Sequence, residues 1–509
     1  MQSPTGPTAS VASARQPRDH RPIAHVEIID QSLRDGVQSL WGMRIRAGMV
    51  TGAGRHLDRA GYDTVELPSG SFFSVLLRYL REDPIEAYRH MRSCFRHTRV
   101  RGGTRPSSTG RYDVSPYSIL EFISRYTIQR LGIDSYWIYD CLFDMPEMEN
   151  RARTVHEAGG LAFPTVMYGL SPVHTDERFA DKVRQMVSWG FASGIEVEDA
   201  AGILTPDRAR TLLPALVEAA GDVPVELHCH NTTGMAPLNY LIGVESGVKV
   251  LHTCSSPVAN GPSLPSTEMT LVNLEAAGHT HNIDAKTLAP VAEHLERIAR
   301  QEGHPLGVPE EYDARIYEHQ LPGGMTGTFK AQLAQHGMED RLRDVLDETP
   351  RVRQELGYPI SATPFSQLVG TQAVLNIIAG ERYAQTTDEV VLYVLGAYGP
   401  PPAPVDPDVK DRVLSSSRAN ALKDSWQRPD KTLDEVREEY GGRNLSDEEL
   451  FRRHFAPVED IEAARAAGPV RRDYRFNEPL SDLITGALQH SSARRIRLES
   501  GKLSVDLKR

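Results

Sequence analysis

An eightfold alternation between residues 23 and 300 constrains this chain more than any other feature. Short apolar or β-branched runs recur there: HVEIID, DTVELP, TRVRGG, SYWIYD, AFPTVMYG, SGIEVED, VPVELHCH and VKVLHTC. Between them lie segments such as MVTGAGRHLDRAG and DRARTLLPALVEAAG, whose apolar positions return at helical spacing. Eight strand–helix units predict an α/β fold, a (β/α)8 TIM barrel. A doubly wound open sheet is the competing arrangement, and eight regular units favour closure.

A barrel gives the search for chemistry a direction, because active groups collect at the carboxyl ends of its strands. Asp35 follows the first run, Arg101 is expected to end the third, Glu198 the sixth, and His228 with His230 the seventh. His252 ends the eighth, where it could line a site or serve the core.

Four units are expected along the chain. Residues 1–22 are rich in Pro, Ser, Thr and Arg without an apolar core, as in a disordered tail rather than a secretory signal. The barrel takes 23–300, and a mostly helical region follows over 301–470. In 471–509, Leu480, Leu483, Ile484, Ala487 and Leu488 share a helical face. Alternating Ile496, Leu498, Leu503, Val505 and Leu507 around Ser500–Gly501 suggest a hairpin. A formal charge of −11 argues against a nucleic-acid partner. No apolar run is long enough to span a bilayer, and four cysteines without CxxC spacing suit a reducing cytoplasm.

The stretch ELHCHN, residues 226–231, carries the sharpest question. On a strand, alternate side chains share a face, so His228 and His230 point together while Cys229 points away. Such a pair is either a metal clamp or one buried and one surface histidine. Asp35 and Glu198 on the same expected rim favour the clamp, since two carboxylates and two imidazoles suit zinc, manganese or cobalt.

DQSLRDGVQSLWGMRIR, from Asp30 to Arg46, resembles the opening of the biotin-dependent carboxyltransferases. That family includes the carboxyltransferase domain of pyruvate carboxylase, the oxaloacetate decarboxylase α subunit and the metal-binding subunit of transcarboxylase. The resemblance continues through MYGLSPVHT, DAAGILTP, LHCHNTTGMAP, YEHQLPGGM and PRVRQELGYPISATPFSQLVGTQAVLN. It implies a metal-bearing barrel with a helical funnel behind it. It also implies Asp35, His228 and His230 as metal ligands, and Gln38 and Arg101 as groups that hold a 2-oxo acid. Arg34, Gln38 and Ser263 are the candidate catalytic residues.

Two departures from the family are central. A carbamylated lysine, in a stretch like IKDMAG, is replaced by Glu198 in VEDAAG, and no lysine lies between Lys182 and Lys249. Glu198 keeps the negative charge but falls roughly 3–4 Å short of a carbamate oxygen. The family's proton-carrying threonine, in a stretch like MSGLTSQPS, aligns with Pro262 of VANGPSLPS, or with Ser263 after a shift of one. Trp137 also stands where the family usually has arginine, and PSGSFF replaces a tryptophan-glycine-rich segment.

The resemblance implies metal-dependent carboxyl transfer or decarboxylation at C3 of a small 2-oxo acid of the pyruvate or oxaloacetate type, through an enolate. Biotin would come from a separate carrier protein, beside a biotin carboxylase subunit, since the chain has no Met-Lys biotinylation motif. A homo-oligomer is expected from the family. Two alternatives remain: a metallolyase doing aldol or Claisen chemistry, and a non-catalytic assembly or regulatory subunit.

Overall fold

The computed structural model describes residues 23–108, 114–323, 325–423, 427–476, 495–500 and 503–508. Eight parallel strands close into a barrel in sequence order. They are β1 (Glu27–Asp30), β2 (Thr64–Glu66), β3 (Arg99–Thr104), β4 (Ser135–Tyr139), β5 (Leu161–Met167), β6 (Ile195–Asp199), β7 (Val225–Cys229) and β8 (Val250–Thr253). Closure comes from β1 pairing with β8, where Ile29 is opposite His252. The eight expected strands are therefore present and the open sheet is excluded.

The alternation along each strand separates two environments. Ile28, Val65, Val100, Val197, Leu227 and Leu251 join the apolar cluster shared with the surrounding helices. Their sequence neighbours on the other face include Glu66, Arg101, Glu196, Glu226, His228 and His252, all buried. Barrel interiors are usually filled by branched aliphatic residues. Here one strand face packs and the other carries charge.

The helices cap cleanly where the sequence supplies oxygen. Asp83, Thr175, Thr205 and Ser266 each accept a backbone N–H at the start of a barrel helix. Past Leu288–Glu302 the described chain is helical, including Leu342–Glu355, Phe365–Ala379 and Asp447–Phe455. The expected hairpin is present as β9 (Arg495–Ser500) and β10 (Leu503–Lys508), with Val505 opposite Leu498. The helical face expected at Leu480–Leu488 and the tail at 1–22 lie outside the described residues. No described helix is long and apolar enough to cross a membrane.

Candidate metal centre

The chain leaves β1 through a single π-helical turn, Ser32–Gly36, which turns Arg34 and Asp35 into the barrel. Such turns often mark functional positions, because the extra residue re-aims side chains. Asp35 Oδ2 accepts from Arg34 Nη1 at 2.7 Å, and its Oδ1 accepts from Ser39 Oγ at 2.9 Å. On its other side Arg34 donates through Nη2 to Glu66 Oε2 at 3.1 Å. The Trp137 indole N–H donates to the other Glu66 oxygen, and the Arg34 guanidinium lies 4.8 Å from the Trp137 ring centroid. That ring also dictates its neighbour. A Cβ on Gly103, its cross-strand partner, would come within 2.4 Å of the indole.

On β7, Leu227 and Cys229 face the apolar shell, and His228 and His230 face Asp35. The hydrogen bonds set the His228 tautomer. His230 donates Nδ1–H to the Pro262 carbonyl at 2.6 Å, and its Nε2 lies 3.3 Å from Asp35 Oδ1. Burial pulls the His230 pKa down, but the Asp35 carboxylate outweighs it and raises it. For His228 the reasoning starts deeper, at Glu226. Burial pushes that carboxyl up, but the Arg101 guanidinium outweighs it and holds Glu226 at about 2. As a carboxylate Glu226 only accepts, so His252 Nε2, 3.2 Å away, is the donor. His252 Nδ1 then accepts, from Gln31 Nε2 at 3.1 Å and from His228 Nδ1–H at 3.2 Å. His228 Nε2 remains bare and buried with no hydrogen-bond partner, 3.7 Å from Asp35 Oδ2.

The charges agree with this arrangement. Burial pulls the His228 pKa well down, so its imidazole is neutral. Burial also works against the Asp35 carboxylate, but His230 and Arg34 beside it hold it well below the usual range. One carboxylate oxygen and two imidazole nitrogens, all within 4.8 Å of one another, therefore converge. That donor set, with an orphaned nitrogen aimed into it, fits a divalent cation such as zinc, manganese or cobalt and leaves coordination positions for substrate. Each histidine is fixed through its other nitrogen, as metal-ligating imidazoles are.

The remaining expected residues are placed differently. Glu198 lies opposite His228 across β6 and β7 but outside the ligand cluster. Its Oε2 has no hydrogen-bond partner, and burial, opposed by Arg34, pushes its pKa up to about 7. Arg101 does not end β3, which runs on to Thr104. It is fully buried, forked onto Glu226, ion-paired with Glu196 at 3.5 Å and 3.8 Å from the Phe163 ring centroid. Those partners take both terminal nitrogens, and its Nε has no hydrogen-bond partner. Ser263 is also fully buried, and its hydroxyl donates to the Val258 carbonyl at 2.8 Å instead of facing the centre. Gln38, on the helix Val37–Trp41, is half-buried at the mouth.

That mouth is a cavity of about 210 Å³ whose lining includes Arg34, Gln38, Glu66, Trp137 and, beyond β3, Arg105. Thr363 and Gln367 from the helical region close it. Sequence reasoning passed over Glu66, Glu196 and Glu226. Their signal was present, since Glu196 and Glu198, and Glu226, His228 and His230, alternate along single strands.

Comparison with known proteins points one way. Residues 316–459 match the conserved carboxylase domain family, and residues 148–295 match the HMGL-like family. A pyruvate carboxylase subunit of Methanocaldococcus jannaschii is 35% identical over 421 residues, 81% of this chain and 73% of that protein. The 2-oxoglutarate carboxylase large subunit of Hydrogenobacter thermophilus is 32% identical, over 90% and 70%. The methylmalonyl-CoA carboxyltransferase 5S subunit of Propionibacterium freudenreichii subsp. shermanii is 31% identical, over 91% and 90%. Among solved structures, the carboxyl transferase domain of Rhizobium etli pyruvate carboxylase with oxamate and biotin superposes with a TM-score of 0.79 at 23% identity. It covers 94% of this chain and 82% of that one.

Proposed function

This chain belongs to the biotin-dependent carboxyltransferases of the pyruvate-carboxylase type, and from that premise we propose metal-dependent carboxyl transfer or decarboxylation at C3 of a small 2-oxo acid. The observation that carries the reading is the convergence of an Asp35 oxygen, the His230 imidazole and the unpartnered Nε2 of His228. These three residues would hold the ion. When bound, it supplies positive charge against the ketone oxygen, where the electron pair released at C3 is delocalised.

The chain's own groups do the rest. Arg34, fixed by Asp35 and Glu66, and Gln38 line the cavity beside the centre and orient the acid. Arg105 lines the same cavity where Arg101 does not, so it is the guanidinium we assign to the substrate carboxylate. Loss of the C3 carboxyl as carbon dioxide leaves an electron pair that must take up a proton at C3. Glu198, buried with an oxygen that has no hydrogen-bond partner, is the group we assign to deliver it, in place of the family's hydroxyl. Trp137 and the helix Phe365–Ala379 keep bulk water from that position.

Biotin supplies a ureido nitrogen that carries the carboxyl group. The lining hydroxyls of Ser69, Thr104 and Thr363 and the Gln367 amide suit a ureido ring. A separate carrier protein would present it, with a biotin carboxylase subunit as a further partner. Several relatives are themselves named as subunits, which supports an assembly of this kind.

The test is the release of pyruvate from oxaloacetate by the purified chain loaded with zinc, manganese or cobalt. Turnover should disappear on chelation and fall at least about a hundredfold in His230→Gln. Arg105→Gln should raise KM more than it lowers kcat. Turnover that survives chelation and His230→Gln would overturn the reading.

A further inference from the structure

A second set of ligand atoms lies directly beneath the first. Glu196, His228 and His252 offer a carboxylate oxygen and two imidazole nitrogens within 4.8 Å of one another, and all three side chains are fully buried. We propose that the barrel core holds a second divalent cation here. It would be ligated by Glu196 and by the Nδ1 atoms of His228 and His252, with His228 shared between the two ions through its two ring nitrogens.

Four observations converge on this site. First, neither oxygen of Glu196 has a hydrogen-bond partner, although the residue is wholly inside the protein and its ion pair with Arg101 is 3.5 Å long. A buried carboxylate left that way calls for an ion or a water. Second, the two Nδ1 atoms are 3.2 Å apart. Two nitrogens on one tetrahedral zinc, each about 2.0–2.1 Å from it, are separated by about 3.3–3.4 Å. Third, His252 already donates its other nitrogen to Glu226, which Arg101 holds in turn. A carboxylate behind a histidine is the usual support of a metal-bound imidazole. Fourth, Gln31 sits against the same His252 nitrogen, and its Oε1 is buried without a partner. A half-turn of that amide brings an oxygen to the position as a fourth ligand.

Binding at His228 Nδ1 replaces its proton, which is released to solvent while the nitrogen's electron pair goes to the metal.

The experiment uses the full wild-type chain loaded with cobalt, its crystals measured for anomalous scattering. Zinc stoichiometry of wild type, His252→Gln and Glu196→Gln is measured beside it. Two anomalous peaks, one in each cluster, and a fall from two zinc ions per chain to one in both variants are expected. A single peak between Asp35, His228 and His230, with stoichiometry unchanged in the variants, overturns the second site and leaves the proposed function intact. A single peak between Glu196, His228 and His252 upholds the second site and removes the outer ion from the proposed function. The peaks come from the wild-type protein, so a variant that fails to fold does not decide the matter.

Discussion

The two faces of the barrel strands differ more than two proteins often do. Outward, Ile28, Val197, Leu227 and Leu251 interlock with the helices in an apolar shell. Inward, Arg101, Glu196, Glu226, His228 and His252 form an ionic column. The outward face gains stability from burying apolar area, and that gain depends on volume. The inward face gains little from its ion pairs, because desolvation offsets most of their attraction, yet each member is costly to remove alone. The shell therefore carries the fold, and the column is free to carry chemistry as long as its charges change together.

The largest effect that could break this contrast lies at Glu226. Glu226→Ala leaves the buried Arg101 guanidinium without its forked partner and should cost roughly 3–5 kcal/mol of unfolding free energy. Urea denaturation at pH 7 measures it. A loss under about 1 kcal/mol would mean the column is not a closed electrostatic unit.

A smaller effect concerns Asp30, which accepts from Ser32 Oγ at 2.7 Å and from its backbone N–H at 3.2 Å. Burial raises its pKa from 3.8 to about 7. The unfolded carboxyl ionises first, so the folded state is penalised as pH rises from about 4 to 7, and the penalty is constant above that. Wild type should lose on the order of 3–4 kcal/mol relative to Asp30→Asn across this window. Parallel stability curves for the two proteins would refute the shift.

The smallest effect sharpens the comparison. Ile28→Val, on the outward face, should cost about 0.5–1.5 kcal/mol in denaturant titrations. It should leave metal stoichiometry unchanged. A change in metal content from this one methylene would show that the two faces are mechanically coupled.

The barrel was legible because strand and helix periods alternate eight times, which favours closure over an open sheet. Asp35, His228 and His230 were expected at one rim because each falls at or just past a strand end, and a turn after β1 brings Asp35 to the two histidines. The partners of Arg101 and Ser263 were not legible, one being distant in sequence and the other set by a loop. Glu226, 125 residues from Arg101, decides where that guanidinium points. The Val258 carbonyl takes the Ser263 hydroxyl through a loop fold that spacing does not reveal. The ionic column was visible as Glu-x-Glu and Glu-x-His-x-His, but attention to strand ends hid the strand middles.

Gly103 under the Trp137 ring has a consequence for the order in which this sequence can change. The indole fills the volume of the missing Cβ, so any side chain at 103 collides while the tryptophan is present. Replacing the tryptophan first opens that volume, and only then does position 103 become permissive. The two positions form a one-way gate: a lineage that adopts the tryptophan can leave it only by the same door, and in the reverse order.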